Sequence, residues 1–182
     1  MKIKSEKLIE DLLTSVNKAK NSVLQFKQKN LTELNVKLDQ KKWSALECIE
    51  HLNLYGDYYL PEIEARILKQ NKNSNRAVFK SGIIGNYFAS LMKTNNGKIK
   101  KMQTPAEMNP INSGLNTTAL DRFLKQLEKL AWLLNEAKEV DLQKTKTSIK
   151  LTKLIKLRLG DTLRFVVYHI ERHIEQAEKA IK

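Results

Sequence analysis

The chain of 182 residues carries a single cysteine, Cys48. An internal disulfide framework is thereby excluded, and a reducing compartment suits such a sequence. Six glycines and three prolines are too few for the many tight turns of a sandwich or barrel of short strands. Long hydrophobic runs are lacking too. The most apolar uncharged stretch, SGIIGNYFASLM from Ser81 to Met92, contains two glycines and falls short of the roughly 20 apolar residues that span a bilayer. The N-terminal MKIKSEKLIEDLL interleaves charged and apolar residues, which is not the pattern of a secretory leader. These absences predict a cytoplasmic protein with no membrane partner.

The usage that remains is helical, with 29% charged residues and apolar residues at helical spacing. A chain of this length buries about 70% of its unfolded surface around one core, so residues 1–182 are read as a single all-α domain, a four-helix bundle. The first helix is predicted over Ser5 to Lys29, with Leu8, Leu12, Val16, Ala19 and Val23 on one face. A short polar connection leads to Trp43. SALE, from Ser44 to Glu47, fits a capping box and opens the second helix. That helix runs through Ile67 and holds Pro61, which predicts a bend or restart near Leu60. Residues 71–116 form a long crossover with one apolar island at Ile83 to Met92, expected to cover a pocket or a twin subunit, making a homodimer. The third helix starts at Asn116 or Thr117. The Lys-rich segment from Asp141 to Gly160 alternates like a strand but lacks an evident partner, so an extended segment with about one helical turn is expected. Asp161 is placed as the N-cap of the fourth helix.

Acidic residues are outnumbered, 20 against 33 basic, for a net charge of +13. Such an excess raises affinity for any polyanion. The lysines nevertheless read as spread over helix faces, apart from KIKK at 98–101 and the run from Lys144, and no nucleic-acid motif accompanies them. A solvated lysine-rich surface is the preferred reading, and a nucleic-acid partner is not expected. A basic bundle that binds an acidic partner is the rival.

Histidine is rarest in proportion to its interest: three in the chain, His51, His169 and His173. The last two stand four apart in RFVVYHIERHIEQ, and positions i and i+4 share one helix face. They lie along the edge of the stripe Leu163, Val166, Val167, Ile170, Ile174. His51 lies near the apolar face of the second helix. Helical rise puts it roughly 10 Å from the start of that helix, with His169 and His173 roughly 12 and 18 Å into theirs. Three neutral imidazoles suit zinc, nickel, iron or copper and leave positions for water or substrate. Glu47 and Gln176 are the nearest groups able to orient the second ring nitrogens. The alternative is a set of hydrogen-bonded core histidines. Cys48 reads either as a soft fourth ligand or as a small core residue.

KWSALECIEHLNLYGDYYLPEIE, followed much later by LGDTLRFVVYHIERHIEQAEKAI, resembles the DinB/YfiT-like superfamily. The two blocks carry a tryptophan, a small polar cap and HL in the second helix, and the GD, H, RH and Q positions in the fourth. The resemblance implies a four-helix bundle of up-down-down-up topology with a long crossover between its second and third helices. It implies one divalent metal (Zn, Ni or Fe) on His51, His169 and His173. Known activities of the superfamily include S-transferases using bacillithiol or mycothiol and a thiol-dependent isomerase. The expected function is therefore activation of water or a low-molecular-weight thiol against a small electrophile, of S-transferase or hydrolase type, without further catalytic residues assigned. A metal-binding stress protein without turnover is the other reading.

Overall fold

The computed structural model describes residues 1–93, 103–150 and 152–181; the KIKK run lies outside them. It is mostly helical, with two small antiparallel strand pairs. Four long helices carry the core: α1 (Ser5–Phe26), α3 (Ala45–Ile67), α5 (Thr118–Glu136) and α6 (Leu159–Ile181). Between α1 and α3 lies the short α2 (Leu31–Asn35), and between α3 and α5 lies α4 (Ile83–Met92). The strands are β1 (Lys2–Lys4), β2 (Val78–Lys80), β3 (Lys146–Ile149) and β4 (Thr152–Arg158).

Each long helix turns one apolar stripe inward. Ile9, Leu12, Leu46, Ile49, Ile63, Leu120, Leu127, Leu130, Leu163 and Val167 are all buried. Cross-helix pairs fix the directions. Lys20 meets Glu128 and Lys27 meets Asp121, so α1 and α5 run opposite ways. Glu50 meets Arg122 and Glu64 meets Lys129, so α3 and α5 run together. Trp43 lies by His173, His51 by His169 and Tyr59 by Phe165, which makes α3 and α6 antiparallel.

Local rules set the helix starts. Ser44 and Glu47 close the expected capping box at the head of α3. The connection after α1 contains a second box, Asn30 with Glu33, which opens α2 and ends the first helix at Phe26 rather than Lys29. Pro61 does not restart α3, which continues from Ala45 to Ile67.

The mostly helical chain fits the all-α expectation and adds a small strand pair of residues 2–4 with residues 78–80. Two expectations need correction. The Lys-rich segment has a partner after all, its own preceding residues: β3 and β4 form a hairpin with Thr147 opposite Leu157. Its alternation buries Thr147, Ile149 and Leu157 and leaves Lys146 and Lys156 outside. Asp161 is not the N-cap of α6, which begins two residues earlier. Its buried carboxylate instead accepts from the Ser81 hydroxyl, the Gly82 N–H and the Arg164 guanidinium. Arg164, itself buried, also reaches Asn86 Oδ1.

That carboxylate docks α4 on α6. A Cβ at Gly85 would lie 2.5 Å from Asp161 Oδ2, and the three bonds leave the carboxylate no room to turn. Gly85→Ala should therefore destabilise the protein by about 1–3 kcal/mol through overpacking. A thermal melt unchanged by the substitution would contradict this close approach.

Candidate metal centre

His51 sits on α3 in the second turn after the capping box, and His169 and His173 lie one turn apart on α6. Because the two helices are antiparallel, depth on α6 counts from its C-terminal end at Ile181. His173 and His169 are then about 12 and 18 Å from that end and His51 about 9 Å from the start of α3, so His173 lies within one turn of the level of His51 and His169 within two. The three ring centroids lie 4.6 to 5.0 Å apart. One ligand nitrogen from each falls within 4.8 Å of the other two. The sequence thus supplies three donors and the antiparallel seam gathers them.

The outward nitrogens are held. His51 Nδ1 donates to the Met108 carbonyl at 2.6 Å, and His173 Nδ1 lies 3.0 Å from Gln176 Oε1. His51 Nε2 and His169 Nε2 face each other at 3.1 Å. An imidazole whose Nδ1–H is tied to an oxygen presents its Nε2 lone pair to an ion, so the donor set fits a divalent metal. Glu47 is turned elsewhere: beyond the capping box it accepts from Lys37 Nζ at 2.7 Å and the Asn112 N–H at 2.6 Å. The Met108 carbonyl stands where Glu47 was expected to orient His51. A backbone carbonyl has no side-chain signature, and nothing in the sequence points to it.

All three histidines are buried. Burial pushes His51 down to about 4, against the opposing hydrogen bond to Met108, and the Arg172 charge lowers it further. His169 and His173 are held well below the ordinary histidine range, first by burial and then by neighbouring imidazoles and Arg172. Neutral rings are the ligand form. Cys48 is a core residue whose thiol is pushed up by burial and the Glu47 charge, and it is not among the clustered ligand atoms.

Aromatic rings wall the cluster. Trp43 lies 4.6 Å from His51, Tyr55 4.5 Å from His169, and Phe165 stacks at 5.8 Å from His169. Trp43 Nε1 donates to Asn109 Oδ1, which ties residues 108–112 across the site together with the Met108 and Asn112 contacts. A narrow apolar cleft between α3, α5 and α6 reaches His169, lined by Leu52, Tyr59, Phe123, Leu127 and Phe165.

The family model described as the DinB superfamily matches residues 26–177. No curated protein and no solved structure matches the chain. Among the described residues no helix is long and apolar enough to cross a membrane.

Buried neutral histidines make the ion-free fold acid-sensitive. Their folded pKa values lie below the unfolded value near 6.5, so below pH 6.5 the unfolded chain binds more protons. Stability should be complete above about pH 7 and fall, by up to about 1.4 kcal/mol per pH unit per histidine, as the pH drops toward the folded value of about 4 for His51. Chelator-treated protein unfolded in urea at pH 7, 6 and 5 checks this, and a midpoint independent of pH would contradict it.

Proposed function

As the chain belongs to the DinB superfamily, we propose that it is a single-domain metalloenzyme whose one divalent ion, zinc, nickel or iron, is held by His51, His169 and His173. The observation that carries this reading is the convergence of three ring nitrogens within 4.8 Å of one another. The helix directions and the segment between α3 and α5 support an up-down-down-up four-helix bundle with a long crossover. A divalent ion on three histidines supplies Lewis-acid chemistry that eases ionisation of water or a small thiol.

The residues of the chain do the rest. Met108 and Gln176 aim His51 and His173, and Trp43, Tyr55 and Phe165 keep bulk water from the rings. The cleft beside His169 would take the apolar part of a small electrophile and hold it beside the three rings. Arg172, buried one residue before His173, adds a positive charge that favours an anionic nucleophile there. The overall reaction would be S-transfer, in which the thiol gives up its proton and its sulfur bonds to the electrophilic carbon as the leaving group departs with its bonding electrons, or hydrolysis when water takes the place of the thiol.

Protein purified without a histidine tag should contain about one equivalent of metal. His51→Ala, His169→Ala and His173→Ala should each lower metal content at least about tenfold, with circular dichroism verifying the helices. Wild-type stoichiometry in any one variant would remove that residue from the ligand set. Metal-loaded protein should turn over within a panel of thiols and electrophiles and lose that turnover on chelation. A large chelator-dependent drop in melting temperature without turnover would favour a stability role for the ion.

A further inference from the structure

The fold sorts lysines that look scattered in the sequence. Several on and beside the long helices meet carboxylates: Lys20 with Glu128, Lys27 with Asp121, Lys37 with Glu47, Lys129 with Glu64. Where the two strand pairs meet, the pattern reverses. Lys2 stands directly opposite Lys80 across β1 and β2, and Lys146 opposite Arg158 across β3 and β4. Directly opposed residues share a face at about 5 Å, and like charges so placed destabilise the pair. By the two-residue period Lys4 shares the face of Lys2, and Lys156 that of Arg158. The patches join where Arg158 Nη1 donates to the Lys80 carbonyl at 2.5 Å.

Among the described residues none of these six cations is ion-paired with a carboxylate. Two acids nearby are engaged: Asp161 is buried on Ser81, Gly82 and Arg164, and Glu62 binds Arg66 and the Ser148 N–H; Glu6, exposed at the start of α1, is one acid against six cations. Burial and the Arg158 charge hold the Lys146 ammonium below its usual range against the pull of Asp161. A cluster with a clear excess of positive charge is what remains.

Exposed apolar side chains adjoin it. A Cβ on Gly82 would lie 3.5 Å from Arg158 Nε, and the next residue, Ile83, is 93% exposed. Ile84 is 50% and Tyr87 61% exposed, and α4 contains no charged residue. The Ser81 N–H donates to the Met1 carbonyl, which brings the exposed Met1 side chain to the same corner.

We propose that this end of the molecule docks on an anionic lipid bilayer, with Ile83, Ile84 and Tyr87 entering the interface and Lys2, Lys4, Lys80, Lys146, Lys156 and Arg158 meeting headgroup phosphates. Charge complementarity selects this occupant. A second copy joined through the same face would press six cations against their own duplicates. A nucleic-acid strand would take the cations but would leave the two isoleucines in water, where it ordinarily stacks on aromatic rings. An anionic bilayer takes both features, phosphates for the cations and the acyl boundary for the aliphatic tip. Peripheral attachment of this kind needs no spanning helix, and it is independent of the metal reading.

Flotation of the full chain with vesicles tests the proposal. Phosphatidylcholine vesicles alone should leave the protein behind, whereas vesicles with about one third phosphatidylglycerol should carry it at about 0.1 M salt and release it at about 0.5 M. Lys80→Glu/Lys156→Glu and, separately, Ile83→Asp should each reduce the bound fraction at least about tenfold, with melting temperature and metal content unchanged. Failure of the wild type to float with anionic vesicles overturns the proposal. So does a charge-reversed variant that loses binding to a single-stranded oligonucleotide while vesicles are ignored, because the patch is then a nucleic-acid surface. Conversion of a dimer to a monomer by Ile83→Asp, again with vesicles ignored, assigns the face to a second copy. Equal flotation of Ile83→Asp and wild type removes the apolar contact from the proposal. Since metal content is read in parallel, loss of flotation and loss of the metal centre are told apart.

Discussion

The antiparallel seam between α3 and α6 is the constraint on which the rest depends. Three imidazoles brought out of water stay neutral because charging them there is too costly, and neutral rings still need partners for their N–H groups. The seam meets that need with neighbours from opposite directions in sequence: Met108 from the crossover for His51, Gln176 from the next turn of α6 for His173. The capping box at Ser44 sets where α3 begins. It thereby sets the rotational phase of His51, seven residues after Ser44, and a start displaced by one residue would swing that ring about 100° away from α6.

Helix α6 joins two polar systems in one rod. Its first turns bury Asp161 and Arg164, which hold Ser81, Gly82 and Asn86 and so dock α4. Its later turns carry the histidines. Asp161 and His169 are eight residues apart, about 12 Å along the axis, so the anchor of α4 and the ring cluster share one rigid element. A buried charge pair such as Asp161 with Arg164 adds little net stability but penalises any arrangement that separates it, which suits a part that fixes where another helix sits.

Much of the site is legible from sequence because it obeys local rules. The i, i+4 spacing of His169 and His173 and the SALE box are readable within one turn of helix. The apolar island at Ile83 to Met92 is likewise visible, and the structure makes it a helix with one buried and one exposed face. Tertiary partners override local rules elsewhere. Asp161 after Gly160 has the local form of a cap, yet Ser81 and Gly82, some 80 residues away in sequence, claim its carboxylate. The hairpin is missed because β3 is Lys-Thr-Ser-Ile, too polar to announce a strand, and its inward Thr147 is satisfied by the Thr162 hydroxyl, fifteen residues on in α6. The dispersal of lysine along the chain conceals its gathering in space, since Lys2 and Lys80, and Lys146 and Arg158, meet by strand pairing, and the two pairs are joined by the bond from Arg158 to the Lys80 carbonyl.

The contact of 3.1 Å between His51 Nε2 and His169 Nε2 has a consequence in proton placement. A carbonyl can only accept, so Met108 fixes the single proton of neutral His51 on Nδ1 and leaves a lone pair on Nε2. Two facing lone pairs would repel, so His169 completes the contact as the tautomer protonated on Nε2. Coordination through that atom requires the opposite tautomer. Were an ion to bind through Nε2 of all three rings, its uptake would be coupled to the shift or release of one particular proton on His169, while His51 and His173 would already hold their lone pairs ready.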